Sequence, residues 1–309
     1  MISLTKLRAL DLADAGDPAL PRHLSAASGL ACPGSFIYVV ADDELHLGVF
    51  PATGNKAGRL IRLFPGELPA EKAARKKAKP DLEAITQLPP FAKHPNGALL
   101  ALGSGSTHNR RRGSLLALDP TGAISGLPRA VDFSHLFAAL DRYHPALNIE
   151  GAVAIGDELR LFQRANKSHP RNAIIRYPLP DILAALASGE PVGTIELLAI
   201  DFIDLGQIDG VPLSFTDGAA LPGGGIAFTA VAEDTEDTYN DGACLGAVIG
   251  LLAKDGRLRF LERLEECHKV EGIAARVDGN VIRLLLVTDA DDPAIPATLF
   301  SATIPNAAV

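Results

Sequence analysis

Glu150-Gly151-Ala152-Val153-Ala154-Ile155 begins with a carboxylate, continues with a small residue and then becomes an apolar, strand-like run. Four other runs begin in the same way, with an oxygen-bearing, a small and an apolar residue: Ser28-Gly29-Leu30, Glu83-Ala84-Ile85, Asp217-Gly218-Ala219 and Glu271-Gly272-Ile273. The five motifs are 55, 67, 67 and 54 residues apart, and the residues beyond Glu271 together with those up to Ser28 make 66, about one further period. A strand-rich repeat that closes on itself is typical of a β-propeller. The sequence therefore predicts an all-β fold, a five-bladed β-propeller of four-stranded blades.

The two ends of the chain are predicted to meet in the last blade. The unit that begins at Glu271 contains runs for three strands, and the alternating segment from Leu4 to Leu12 can supply the fourth. This pairing would leave no open sheet edge at the seam. We expect residues 1–309 to form a single propeller domain with short helical inserts at Ala70 to Lys79, Phe133 to Leu147 and Asp181 to Ala187.

Charge and composition limit the classes of partner. The net charge of −8 disfavours nucleic acid and anionic membranes, because both require a basic surface. No run approaches the roughly 20 apolar residues of a membrane span, and the alternating residues Met1 to Leu7 are typical of a strand rather than a signal peptide. The three cysteines form no CxxC pair, which favours a reducing, cytoplasmic location.

The repeat places one polar side chain of each unit at the same mouth of the central channel. In a four-stranded meander, the loops between strands two and three, and those leading to the next unit, lie on that same rim. Four carboxylates in a narrow ring repel one another unless they are protonated or neutralised by a cation. Oxygen ligands favour Ca²⁺ over a transition metal, so we expect a calcium site formed by Ser28, Glu83, Glu150, Asp217 and Glu271. The alternative is that these acids cap backbone amides of neighbouring strands and bind no metal.

The order of these five residues resembles that of the calcium-activated nucleotidases, the soluble apyrases. That resemblance implies a calcium ion held in the channel by alternating serine and glutamate side chains, and hydrolysis of nucleoside di- and triphosphates. Position 217 departs from the pattern, because it is Asp where the family has a small hydroxyl residue, although Thr216 is adjacent. The Glu-Gly-apolar openings also resemble phytase-like and other uncharacterised bacterial propellers.

Two loops on the same rim combine hydroxyl, amide and cationic groups. The first extends from Gly103 to Gly113 and the second from Arg164 to Asn172. Such sets can bind phosphate or carboxylate groups by charge-assisted hydrogen bonds, although both loops could equally be exposed polar loops. The predicted ligand-binding residues for a small anionic molecule are Ser104, Ser106, His108, Arg110, Arg112, Arg164, Asn166, Lys167 and Arg171.

Acidic loops in units four and five face these basic loops, and a carboxylate among them could activate water. The candidate catalytic residues are Glu233, Asp234, His108 and His169. Two functions remain open at this point. The chain could be a calcium-dependent hydrolase of a phosphoester, phosphoanhydride or related anionic molecule, or a noncatalytic propeller that binds a ligand or protein partner and holds a structural metal.

Overall fold

The structure is a computed structural model, and it describes residues 1–14, 16, 20–166, 169, 171–235 and 242–306. Its strands form five separate antiparallel sheets, four with four strands and one with five. This architecture confirms the all-β, five-bladed β-propeller predicted from the repeat. Among the helices of the described part of the chain, none combines the length and the apolar character that crossing a membrane requires.

The first strand of the chain, β1 (Thr5–Ala9), precedes the first blade. The first blade consists of β2 (Ala27–Ala31), β3 (Phe36–Ala41), β4 (His46–Pro51) and β5 (Arg59–Arg62). The second blade consists of β6 (Leu82–Leu88), β7 (Ala98–Gly103), β8 (Arg112–Ala117) and β9 (Arg129–Asp132). In both blades each strand pairs with the next in the chain, so each is a simple meander.

The next two blades follow the same order. The third consists of β10 (Ile149–Ile155), β11 (Glu158–Gln163), β12 (Asn172–Pro178) and β13 (Ala199–Ile203). The fourth begins with an additional two-residue strand and consists of β14 (Gln207–Ile208), β15 (Val211–Ala220), β16 (Ile226–Asp234), β17 (Ala243–Leu252) and β18 (Leu258–Arg263).

The fifth blade contains both ends of the chain. Its own strands are β19 (Val270–Asp278), β20 (Val281–Thr288) and β21 (Thr298–Pro305). Strand β1 pairs antiparallel with β21, with Thr5 opposite Ser301 and Ala9 opposite Thr298. The N-terminal strand therefore completes this blade, as the alternation of residues near the start of the chain predicts.

Within the described residues, three short α-helices and one 3₁₀ turn interrupt the strands. They are α1 (Lys72–Ala78), α2 (Ser134–Ala138), α3 (Leu179–Ser188) and the 3₁₀ turn His108–Arg110. Helix α2 is shorter than the periodicity of residues 133–147 predicts, because the chain continues into turns after its first buried residues. Leu136, Phe137 and Leu140 are nevertheless buried. The apolar pattern therefore predicted the burial of these residues but not the length of the helix.

The hydrophobic core lies between blades rather than at one centre. One cluster, for example, packs the third blade against the fourth and includes Phe162, Phe215 and Phe228. These rings meet edge to face, with centroids 5.1 Å apart in both pairs. Each blade is thereby fixed against its neighbours, which holds the starts of the five inner strands around one axis.

Candidate functional site

A cavity of about 730 Å³ lies at the channel mouth. Ser28, Glu83, Glu150 and Glu271 line it, together with loop residues from all five blades. Among its described lining residues are eleven carboxylates and eight lysine or arginine side chains, so its formal charge is negative. The acids are Asp42, Asp43, Glu44, Asp81, Glu83, Glu150, Glu233, Glu271, Asp289, Asp291 and Asp292, and the bases are Arg22, Lys72, Arg75, Lys76, Lys79, Arg110, Arg164 and Lys269.

A β-bulge at the start of each inner strand selects the residue that occupies the ring position. The pairing of the inner strand with its neighbour skips one residue in every blade, and a bulge of this kind redirects the side chain of the extra residue. The five skipped residues are Ser28, Glu83, Glu150, Thr216 and Glu271. The register thus places Thr216, rather than Asp217, at the ring position of the fourth blade.

Asp217 occupies the position of the small residue that follows each bulge. Its carboxylate accepts hydrogen bonds from the backbone N–H groups of Gly218 (2.7 Å) and Ile273 (3.0 Å), and it does not line the cavity. A Cβ atom placed on Gly151 would lie 2.8 Å from Asp217 Oδ1, so the carboxylate fills space between neighbouring inner strands. Burial raises the pKa of Asp217 well above its usual value, although the amide hydrogen bonds oppose this. Of the two roles predicted for the ring acids, Asp217 therefore fits the capping of backbone amides better than the binding of a metal.

Glu83 is the least compensated carboxylate of the ring. It is partly exposed to the cavity, and among the described residues it has neither a hydrogen-bond nor an ion-pair partner. Burial raises the pKa of Glu83 well above its usual value, the nearby carboxylates of Glu150, Asp81 and Asp42 raise it further, and Lys79 opposes them. Glu83 is therefore the ring residue that would gain most from a bound cation.

Glu83 also belongs to a compact acidic cluster. One carboxylate oxygen from each of Asp42, Asp81 and Glu83 lies within 4.8 Å of the others, an arrangement that could hold a metal ion. The Lys79 ammonium group contacts Asp42 and lies 2.9 Å from Asp81 Oδ1. Lys79 therefore already neutralises part of this cluster, which leaves Glu83 as its uncompensated member.

Arg164 connects the third and fourth blades across the cavity. Its guanidinium group lies 3.2 Å from Glu150 Oε2 and contacts Glu233, whose Oε1 accepts a hydrogen bond from the Gly242 N–H. Burial raises the pKa of Glu150, and Arg164 opposes this shift. The side chains of Arg164 and Glu233 are largely buried, so this ion pair forms part of the cavity wall.

Glu271 is buried with one oxygen left without a hydrogen-bond donor. The Lys269 ammonium group is 3.7 Å from Glu271 Oε1, which accepts no hydrogen bond from the described residues. Lys269 is also 2.6 Å from Asp291 and 3.8 Å from Glu233. Burial raises the pKa of Glu271 to about 8, although Lys269 and Arg164 lower it.

The first predicted anion-binding loop packs mainly against Asp81. Ser104 donates to Asp81 Oδ2 at 2.6 Å, and Arg110 donates to the same oxygen at 2.7 Å and to Ser106 at 3.0 Å. Arg110 lines the cavity but is almost completely buried. Arg112 lies over the Phe64 ring, outside the cavity lining. The loop therefore supports the acidic cluster more than it offers free cations.

The second predicted loop contributes Arg164 and Asn166 to the cavity lining. Arg171 lies over the Phe202 ring, 4.4 Å from its centroid, and does not line the cavity. Lys167 lies outside the described residues. Arg110 of the first loop and Arg164 and Asn166 of the second therefore line the same cavity.

The four candidate catalytic residues occupy different surroundings. Glu233 lies in the cavity wall, whereas its neighbour Asp234 is exposed and does not line the cavity. His108 and His169 are also exposed and lie outside the cavity lining. Of the four candidates, Glu233 is therefore the one that lines the cavity.

Asp43, which is not among the predicted catalytic residues, is a carboxylate with suitable acid–base properties. Asp43 lines the cavity, and its buried Oδ1 atom has no hydrogen-bond partner among the described residues. Burial raises the pKa of Asp43 to about 7, and the carboxylates of Asp42 and Glu44 add to this effect while Arg75 opposes it. The run Asp42-Asp43-Glu44 in a rim loop was the available signal, but the sequence could not show which acid lacks a partner.

Cationic groups from α1 and from the segment before β2 add to the charges at the mouth. Lys72 and Arg75 of α1 reach the cavity, as does Arg22 from the segment before β2. Arg22 is 2.6 Å from the exposed Asp14 carboxylate, and Lys72 is exposed without a hydrogen-bond or ion-pair partner among the described residues. The five basic residues between positions 72 and 79 were the signal that identifies this helix.

Comparisons with solved structures give distant similarities. A putative glycoside hydrolase from Parabacteroides distasonis has a TM-score of 0.44 at 9% identity, covering 98% of this chain and 97% of that chain. A luciferin-regenerating enzyme has a TM-score of 0.42 at 10% identity over 92% of both chains. A β-propeller domain from Myceliophteria thermophila has a TM-score of 0.38 at 11% identity, covering 89% of this chain and 96% of that chain.

Sequence comparison identifies a family without an assigned activity. No curated protein sequence matches the chain significantly. One family profile matches residues 23–304, which include all five inner strands and the ring residues. The chain therefore belongs to DUF6929, a family of unknown function.

Proposed function

We propose that the channel mouth binds one Ca²⁺ ion and supports calcium-dependent hydrolysis of a small phosphoester, phosphoanhydride or related anionic molecule. The observation that carries this proposal is the convergence of Glu83, Glu150 and Glu271 on one cavity in which burial raises all three pKa values. A divalent cation would favour the ionised form of all three groups.

The donor set fits a hard cation. The ring offers carboxylate and hydroxyl oxygens, which Ca²⁺ accepts in a flexible arrangement, and it includes no thiol or imidazole. Glu271 Oε1 is buried without a hydrogen-bond donor, and Glu83 has no partner among the described residues. We assign the ligands to Ser28, Glu83, Glu150 and Glu271, since Lys79 partly neutralises the neighbouring Asp42 and Asp81.

The order of the bulged residues is a second observation that supports the proposed calcium site. With Thr216 at the fourth position, the ring reads Ser, Glu, Glu, Thr, Glu, with hydroxyl side chains in the first and fourth blades. This order is closer to the soluble apyrases than the one containing Asp217. Thr216 Oγ1 lies 2.8 Å from the Val270 carbonyl oxygen, so its hydroxyl connects the fourth inner strand to the fifth.

The remaining cavity groups suit an anionic substrate. The cavity volume is within the range of small-molecule sites, and the exposed cation Lys72 can bind a phosphate or carboxylate group at its rim. A bound calcium ion would polarise a substrate oxygen and neutralise developing negative charge. Asp43 lines the cavity with a partly exposed side chain and a pKa of about 7, and it is the proposed general base that accepts a proton from the attacking water.

Hydrolysis can be tested by incubating the purified protein with panels of nucleotides, phosphomonoesters and phosphodiesters in calcium or in EGTA. We expect turnover of at least one anionic substrate in calcium and its loss in EGTA, with recovery when calcium is restored. Calcium-dependent stabilisation without turnover of any substrate would instead support a noncatalytic propeller with a structural metal, and would overturn the hydrolase.

A further inference from the structure

Cys244 and Cys267 come together at the mouth rim although 23 residues separate them in the chain. Their Sγ atoms are 3.1 Å apart, and Cys267 Sγ is also 3.0 Å from the Cys244 carbonyl oxygen. Cys244 is the second residue of β17, and Cys267 lies in the loop between β18 and β19. Because both segments meet the same rim, the two thiols are neighbours in the folded protein.

We propose that Cys244 and Cys267 form a reversible disulfide by exchange with a low-molecular-weight disulfide such as oxidised glutathione. A disulfide bond is about 2.0 Å long, so the sulfur atoms need to approach by about 1 Å from the separation in this structure. This modification is independent of the proposed hydrolysis, since it requires neither calcium nor a substrate.

The difference in exposure sets the order of the steps. Cys267 is exposed, whereas Cys244 is half-buried, and burial raises the pKa of the Cys244 thiol to about 12. The Cys267 thiolate attacks one sulfur of the oxidant, which forms a mixed disulfide and releases one thiol. The Cys244 thiolate then attacks the Cys267 sulfur and releases the second thiol. Two protein thiols lose two protons and two electrons, and the oxidant is reduced to two thiols.

The bond would connect the start of β17, which pairs with a strand of the cavity wall, to the segment that carries Lys269. Cys244 pairs with Glu233 in the β16–β17 ladder, and Lys269 follows Cys267 by two residues. Lys269 Nζ is 3.8 Å from Glu233 Oε1 in the same wall. Oxidation would therefore restrain the relative movement of the segments that carry this ion pair.

Cys32 provides an internal control. It follows β2, whose start lies at the cavity, so it is at the opposite rim from the other two cysteines. A selective reaction should consume Cys244 and Cys267 and leave the Cys32 thiol in its reduced form.

The test is to incubate the full chain with oxidised glutathione under native conditions, then measure intact mass, count free thiols in denaturant and map the linked peptides. We expect a monomer that has lost two hydrogen atoms, a peptide linking Cys244 to Cys267, and reversal by dithiothreitol. Cys32→Ser should retain this reaction, and Cys244→Ser should instead leave glutathione attached at Cys267.

Three outcomes would overturn the proposal. They are free Cys244 and Cys267 thiols after oxidation, a stable glutathione adduct on wild-type Cys267, and linkage only between different molecules. Each of these outcomes is measured on the wild-type protein, so the test does not depend on the folding of a variant.

Discussion

At the scale of single residues, substitution of Glu83 should change two quantities in opposite directions: the heat stability of the calcium-free protein and its affinity for calcium. In Glu83→Gln we expect the calcium-free protein to be more heat-stable than wild type at pH 8, because a repelled carboxylate is removed. The same change should weaken calcium binding at least about tenfold, since one anionic ligand is lost. Thermal unfolding in EGTA and calcium titration give the two values.

The matched control for this change is Glu190→Gln, at an exposed glutamate just after α3. Glu190→Gln should alter neither the thermal stability in EGTA nor the calcium affinity. Equal calcium affinity in wild type and Glu83→Gln would contradict the assignment of Glu83 as a ligand.

Substitution of Asp43 tests the proposed hydrolysis rather than the binding of calcium. Asp43→Asn removes the proposed base while leaving the ring intact, so we expect turnover to fall by about 10²-fold or more with little change in calcium affinity. Rates at saturating substrate, measured beside calorimetric calcium titration, would show this. Full activity in Asp43→Asn would exclude Asp43 as the base, whereas a parallel loss of calcium binding would indicate that it acts on the metal site.

The residues of the ring could largely be predicted from the sequence, because an oxygen-bearing residue, a small residue and an apolar residue recur at a regular period. The exception is the fourth blade, where Asp217 fits the motif but Thr216 occupies the bulge. A shift of one residue reverses the direction of a strand side chain, and only the strand register reveals it. The partners of Arg110 and Arg164 likewise depend on contacts between segments that are distant in the chain.

At the scale of structural elements, the small residue after the bulge in four of the blades allows the inner strands to approach closely. A Cβ atom on Gly29 would lie 2.8 Å from the Glu83 carbonyl oxygen and 2.9 Å from Val40 Cγ2. We therefore expect Gly29→Ala to reduce the free energy of unfolding by about 1–3 kcal/mol, measured by urea denaturation.

Gly193→Ala is the control for the glycine substitution, because nothing lies within 4 Å of a Cβ atom at that position. It should be nearly neutral. Equal stability of the two variants would show that the inner strands tolerate a methyl group and would contradict the close approach.

The strands could be predicted more reliably than the helices. Alternating and apolar runs are bounded by turn residues in every blade, and the alternating start of the chain correctly indicated the closing strand. The apolar spacing from Phe133 to Leu147 predicted the burial of Phe133, Leu136, Phe137 and Leu140 correctly, but Tyr143, at the same spacing, is exposed. The spacing could not show that α2 ends at Ala138, because tertiary packing and turns override helical periodicity in a short segment.

At the scale of the whole molecule, the cavity makes stability depend on pH. Burial raises the pKa values of Glu271 and Asp289 to about 8. Between about pH 4.5 and 8, the native protein then binds more protons at these groups than the unfolded chain, so their contribution to stability falls as pH rises through this window. In EGTA the melting temperature should fall by several degrees across it.

Saturating calcium should reduce this fall, because the cation favours ionised ring carboxylates in the native state. Melting curves at several pH values, with and without calcium, would test both statements. A melting temperature in EGTA that rises steadily from pH 5 to pH 8 would contradict the account of the buried acids.

The central claim is that the bulged residues Ser28, Glu83, Glu150 and Glu271, from four of the five blades, create one calcium site at the channel mouth. Isothermal titration of the EGTA-stripped and dialysed protein with calcium tests it most directly. The account predicts saturable binding of one ion per chain in wild type and markedly weaker binding in Glu83→Gln. The absence of saturable binding at millimolar calcium, or equal binding by the two proteins, would contradict it.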